Sequence, residues 1–327
     1  MSAMTGKPQA FEQHPAPELV AEIASQCSRA APPQLSVLID SLQTRFGQAL
    51  TAILLYGSCL RSEDITDGVI DLYAVVDDYH HAYAEQLLRL FNACLPPNVF
   101  YLEAPVHQHL TLRSKYAVIS IQDFERGSTH WFHSYMWARF AQPVRLLYTR
   151  DESTRVRIHT ALAQAVLTFL RSTIPVLGTG ETDTETIWTR GLTLTYAAEL
   201  RAEKAGQARQ LAQLNLGDYL RLTAHAAAGL KGQLEPQAHG RYRCLVDENR
   251  QRRAIWQWRV RRWQGRILSL LRLAKAVFTF RDCIDYAAWK IKRHTGISVE
   301  VTPLLRRHPL LLGTLLLWRL LWRGTIR

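Results

Sequence analysis

The stretch from residue 53 to residue 77, ILLYGSCLRSEDITDGVIDLYAVVD, constrains this chain more than any other. An apolar run over 52–56 ends in Gly57-Ser58, and a polar loop with its own Asp and Gly follows. A second apolar run over 69–76 then carries a single acid, Asp71. Runs this short and this apolar predict two buried strands. Glycine allows a tight turn at the end of the first. A carboxylate inside the second is costly unless it is paired or holds a metal.

That pattern points to phosphate chemistry. Backbone N–H groups at a Gly57-Ser58 turn that opens a helix, with the Ser58 hydroxyl, can hold the phosphates of a nucleotide. Asp71 on the next strand can bring Mg²⁺ against the same phosphates. Nucleotidyltransferase sites usually carry a second acid two residues on, on the same strand face. Here that position is Tyr73. Either the site is silent and the fold only binds, or the reaction needs less help. A hydroxyl acceptor must be deprotonated, whereas a phosphate monoester is already anionic, so positioning and charge neutralisation suffice. Asp77 or Glu103 could supply a further metal ligand, although Asp77 and Asp78 read first as strand-end or cap residues.

The rest of the chain reads as an α/β (α+β) protein with a nucleotidyltransferase-type mixed sheet, a helical second region and a basic amphipathic C-terminal region. Residues 1–33 read as a flexible arm with a short amphipathic helix around 17–24. The nucleotidyltransferase-like domain covers 34–150, with a helix over 34–46, a helix over 80–94 ended by Pro96-Pro97, and strands over 99–103 and 115–121. From 129 to 173 the pattern is helical, interrupted at Pro143. The helical domain covers 151–240, with 178–186 (GTGETDTET) as the best linker and 231–240 as a second break. The basic, Trp- and Arg-rich region covers 241–327.

Charge is unevenly placed. The net charge is +12, yet residues 241–327 hold seventeen Arg and three Lys against five acids, leaving twenty basic and twenty-three acidic residues before them. Such asymmetry marks a surface that meets polyanions. Five cysteines, without a C-x-x-C pair or a nearby His cluster, fit buried thiols in a reducing compartment. The N-terminus has neither the apolar core of a signal peptide nor the Arg-rich pattern of a transit peptide.

Four stretches together carry a resemblance. YGSCL with VIDLYAVVDD and the following His80-His81, KYAVISI at 115–121, HWFHSYMWARFAQPVRLL at 130–147 and, more faintly, TYAAELRAE at 195–203 stand in one order. They resemble the mitochondrial-type CDP-diacylglycerol synthases, the translocator assembly and maintenance family, over roughly residues 50–205. That family also lacks an acid two places after its first strand Asp. Cys59-Leu60 stands where the family has Gly-Val, Ala117 and Ala138 where it has Gly, and Gln142 where it has Lys, so this chain looks like a distant relative. The resemblance implies that CTP and phosphatidate react, with Mg²⁺, to give CDP-diacylglycerol and pyrophosphate. It assigns Gly57 and Ser58 to the triphosphate, Asp71 to the metal and Lys115 to a phosphate. Arg139 would meet nucleotide or lipid phosphate, unless its stem packs on the neighbouring Tyr135 and Trp137. Glu199 reads equally well as an exposed helix residue.

Residues 255–280 mix Trp and Arg before turning amphipathic, and 280–296 form a second amphipathic piece. Residues 304–327 are the most hydrophobic, with no charged residue between His308 and Arg319. That falls short of the ~20 apolar residues needed to cross a bilayer. Leu and Trp flanked by Arg instead describe a segment lying in the interface of an anionic membrane, with a C-terminal helix packed in the core as the alternative. Nucleic acid is the weaker reading, since it does not account for LLLGTLLLW. The expectation is a peripheral enzyme on the cytoplasmic face of a membrane. The alternatives are a nucleotidyltransferase with another phosphorylated or hydroxylated acceptor, and a silent lipid- or RNA-binding protein on the same fold.

Overall fold

The computed structural model of the chain describes residues 14–60, 68–107, 110–199 and 206–279. Two helices, α1 (Pro17–Cys27) and α2 (Ser36–Phe46), lead into β1 (Leu50–Tyr56) and β2 (Ile70–Val76). Then come α3 (Tyr79–Ala82), α4 (Gln86–Cys94), β3 (Asn98–His107), β4 (Leu110–Ser120), α5 (Ile121–Thr129), α6 (Trp137–Phe140) and β5 (Val144–Thr149). The long helix α7 (Glu152–Leu177) is followed by β6 (Gly180–Asp183), α8 (Thr184–Ala198), α9 (Gln207–Leu214) and α10 (Leu216–Ala226). Strands β7 (Leu234–Pro236) and β8 (Arg241–Cys244) precede α11 (Glu248–Thr279).

Five strands form a mixed sheet in the order β3-β4-β2-β1-β5, in which only β2 and β4 run parallel. Central strands are buried on both faces, which is why they read as unbroken apolar runs. On one face Ile53, Leu55, Leu72, Ala74 and Val118 pack under α2. On the other, Leu54, Tyr73, Val75, Ala117 and Ile119 share a core with α1, α5, α6, α7, α8 and α10. The sheet and the helical second region are thus joined by one continuous core. Trp188 is its pivot in α8: its ring stacks on Tyr219 at 3.7 Å and on Phe169 at 4.6 Å. Its indole N–H donates to Thr223 at 2.9 Å.

The mixed α/β architecture agrees with the sequence reading, and several local assignments change. The short helix expected near residue 17 is present, but it is built in, with Leu19 and Ile23 buried in the core. Residues 80–94 form two helices, because Asp78 caps α3 and the chain extends again at Tyr83. Residues 144–149 are strand where a helical pattern was read. Val144 and Leu147 satisfy helical spacing, yet the segment completes the edge of the sheet beside β1. Apolar spacing over six residues cannot separate the two states, and pairing decides. Residues 178–186 are no linker: Gly180–Asp183 pairs with β8, and β8 pairs with β7 inside the expected second break. Among the described residues one helix, α7, is long and apolar enough to cross a membrane, and most of that stretch is buried inside the protein. The segments 280–296 and 304–327 lie outside the described residues.

Candidate active site

Sheet register puts four polar-tipped residues in one row across the inner face. Tyr56 of β1 is the partner of Asp71, Asp71 is the partner of Lys115, and Lys115 is the partner of Tyr101 on β3. Partners in register share a face. Further along β2 on that face, Tyr73 and Val75 are fully buried, so Asp71 is the point where the strand leaves the core. Its side chain is 25% exposed, and one carboxylate oxygen lies 3.2 Å from the Lys115 ammonium. A partly exposed pair of this kind contributes only about 0–1 kcal/mol to stability. Stability therefore does not explain why an acid stands there.

Gly57 closes on the same carboxylate. Its φ is +87°, a left-handed conformation that favours glycine, and a Cβ there would lie 3.1 Å from the second oxygen of Asp71. The turn and the acid are thus in contact. Ser58 is exposed and starts a single 3₁₀ turn, Ser58–Leu60, with the Cys59 thiol donating to the Val69 carbonyl at 3.5 Å. The residues that follow this turn, 61–67, lie outside the described residues, and so does the helix expected to start at Ser58.

Arg139 comes to the site from α6 as its floor. Its side chain is only 9% exposed. It donates to the Tyr73 hydroxyl at 2.9 Å, lies 3.7 Å from Glu199, and stacks over Tyr135 at 4.2 Å and Tyr56 at 5.5 Å. Burial works against the charge on Arg139, but Tyr135, Tyr73, Tyr56 and Glu199 more than offset it, so the guanidinium is held charged. Burial alone would raise the Tyr135 phenol; Arg139 and Arg272 instead pull it below its usual range. Arg139 is therefore enclosed, and a direct phosphate contact would require breaking this cage. Glu199 faces Arg139 rather than solvent.

Two other candidates lie elsewhere. Asp77 ends β2, six residues and roughly 20 Å from Asp71, where Arg150 holds it at 2.6 and 3.1 Å. Asp78 caps α3 through the His81 N–H at 2.8 Å, a bond that keeps its carboxyl below the usual range. Glu103 is on the inner face but two strands from Asp71, engaged by Arg113 at 3.2 Å and Tyr101 at 2.7 Å. Neither Asp77 nor Glu103 shares a site with Asp71. One carboxylate still suits Mg²⁺, which keeps waters and takes substrate phosphates as its remaining ligands.

The packing of Arg139 on Tyr135, one of the two expectations for this arginine, is what the structure has, whereas the sequence reading missed the rest of the layer beneath the site. Arg272 had no local signal: it comes from α11 to lie 3.8 Å from the centre of the Tyr135 ring. No protein-family model matches this chain, and comparison with the curated proteins finds no match.

Proposed function

We propose that this chain is a phosphatidate cytidylyltransferase, transferring the cytidylyl group of CTP to phosphatidate with Mg²⁺ and releasing pyrophosphate. The observation that supports it best is the contact of the Gly57 turn with Asp71, with Lys115 3.2 Å away on the next strand. Turn amides, one carboxylate and one ammonium are what a magnesium triphosphate needs from a protein.

In this reading Asp71 holds the metal, and the turn amides with Ser58 hold phosphate oxygens. Lys115 trades the Asp71 carboxylate for a phosphate when substrate arrives. Bound Mg²⁺ would supply charge neutralisation on the triphosphate. A phosphate oxygen of the lipid attacks the α-phosphorus of CTP, a new P–O bond forms, and the bond to pyrophosphate breaks. That oxygen carries no proton at neutral pH, so no base is needed. The position where a second acid would serve is given to Tyr73, which is bound to Arg139. The basic balance of residues 241–327 supports an anionic membrane surface as the place of action, on its cytoplasmic side.

The test is labelled CTP with Mg²⁺ and phosphatidate vesicles. CDP-lipid formation that disappears in Asp71→Ala is expected. CTP turnover only with another phosphorylated or hydroxylated acceptor would overturn the lipid assignment, and absence of nucleotide binding would overturn the enzyme reading.

A further inference from the structure

Among the described residues, helix α11 has one face fixed to the protein and one face left to solvent. On the fixed face, Trp258 donates to the Ser172 carbonyl at 2.8 Å and Arg261 to the Phe132 carbonyl at 2.8 Å. Gly265 lies against the backbone of Ala198, and Arg272 donates to the Pro96 carbonyl at 3.3 Å. Trp256, Trp263, Ile267, Leu270 and Leu271 point the other way. At 100° per residue they fall within about a 100° arc, extending about 22 Å along the helix. Trp263 is 70% exposed and Leu270 57%. Exposed arginines 252, 253, 259 and 266 lie in or beside that arc. Glu248 is the only acid on the helix and it pairs with Arg252.

We propose that this outward face of α11 is the surface that docks on an anionic lipid bilayer. The proposal deepens the reading above, on which it rests only for the purpose of docking, and it places the contact on α11. Tryptophan and aliphatic side chains over a row of arginines match the headgroup boundary, where the rings sit at the interface and the guanidiniums meet lipid phosphates. A second copy of the chain would bring two arginine rows together, which like charge opposes. A nucleic acid would use rings for stacking and gains nothing from Ile267, Leu270 and Leu271. The bound helix is joined to the site through Arg272, Tyr135, Arg139 and Tyr73, so docking sets the orientation of the Asp71 end of the sheet.

Flotation of the full chain with phosphatidylcholine vesicles containing phosphatidylglycerol, against phosphatidylcholine alone, tests this. Wild type is expected to float with the anionic vesicles. Trp263→Glu/Leu270→Glu is expected to weaken binding at least tenfold with an unchanged Tm, because both side chains face solvent. Arg259→Gln/Arg266→Gln, which leaves the apolar stripe intact, is expected to weaken it about 30-fold. Equal flotation of both variants would overturn the proposal, as would a wild-type dimer that the Trp263→Glu/Leu270→Glu change dissociates. So would tighter binding to a single-stranded RNA oligonucleotide than to the vesicles. Vesicle binding without CDP-lipid formation would keep this surface and remove the phosphatidate reading. CDP-lipid formation with flotation unaffected by either variant would do the reverse.

Discussion

Arg139 donates a 2.9 Å hydrogen bond to the hydroxyl of Tyr73, two residues along β2 from Asp71. The position where nucleotidyltransferases usually carry a second acid is thereby occupied by a phenol locked to a buried guanidinium. Tyr73→Phe leaves that guanidinium one acceptor short. A hydrogen bond to a charged group is worth ~1.5–3 kcal/mol, so a loss of that order is expected in urea unfolding. Tyr73→Asp is expected to pair with Arg139 and not to raise transfer activity; a faster enzyme would contradict the reading.

Gly57→Ala combines two costs. A left-handed backbone costs ~1–2 kcal/mol for a residue with a Cβ, and the new methyl would press on the Asp71 carboxylate at 3.1 Å. Transfer is expected to fall roughly 100-fold, the scale of a 1 Å displacement of a reacting group. Gly47→Ala provides the control, since its φ is +52° with nothing within 4 Å of a new Cβ. It should lose only the backbone part of that stability and keep its activity.

Asp71→Asn and Lys115→Met separate chemistry from folding. Each is expected to lower transfer about 10²–10³-fold and to move stability by less than about 1 kcal/mol, because the pair is partly exposed. Single-turnover rates and thermal melts of the same samples measure both. Retained activity in Asp71→Asn would remove the metal assignment.

Gly265→Ala tests how closely α11 sits on α8. A Cβ at Gly265 would lie 2.2 Å from the Ala198 carbonyl oxygen, and backbone cannot move aside as a side chain can. Overpacking of this kind costs ~1–3 kcal/mol. A lower Tm and faster trypsin cleavage within α11 are expected. Glu199 follows Ala198 and faces Arg139, so nucleotide affinity should weaken as well.

Lys275 makes the fold pH-dependent. Its ammonium is buried at the end of α4, bonded to the Leu95 carbonyl and to the Pro97 carbonyl at 2.8 Å. Burial pushes its pKa down to about 7, with Arg272 adding to the effect, against ~10.4 in an unfolded chain. Between those values the unfolded chain binds more protons than the folded one, so this residue's contribution to stability rises with pH. Below about 7 both states are protonated and the penalty is fully present. The stability difference between wild type and Lys275→Met, from urea unfolding at pH 7 and pH 9, is expected to shift toward wild type at the higher pH. A constant difference would count against a buried, depressed ammonium.

The paired strands and the turn between them were legible because local chemistry repeats there. Two apolar runs too short for helices, a glycine before Ser58 and one acid in a buried strand leave few alternatives. The capping role of Asp78 was legible for the same reason. Residues 144–149 were not, because six residues with mixed spacing suit either state and only the open edge of β1 selects strand. The linker reading of 178–186 failed likewise: Gly and Thr favour a break locally, and pairing with β8 overrides them.

By itself the sequence determined the alternation of apolar and polar positions, and with it the two strands, the Gly57 turn and the basic excess of the last 87 residues. Tertiary structure alone decided which charged groups meet. Lys115 faces Asp71 through a parallel pairing forty-four residues apart, Asp77 is carried to the far end of β2, and Arg272 reaches Tyr135 from α11. Local propensity acts over a few residues, whereas an ion pair or a ring stack depends on register and packing between segments distant in the chain. No pattern within either segment encodes that meeting.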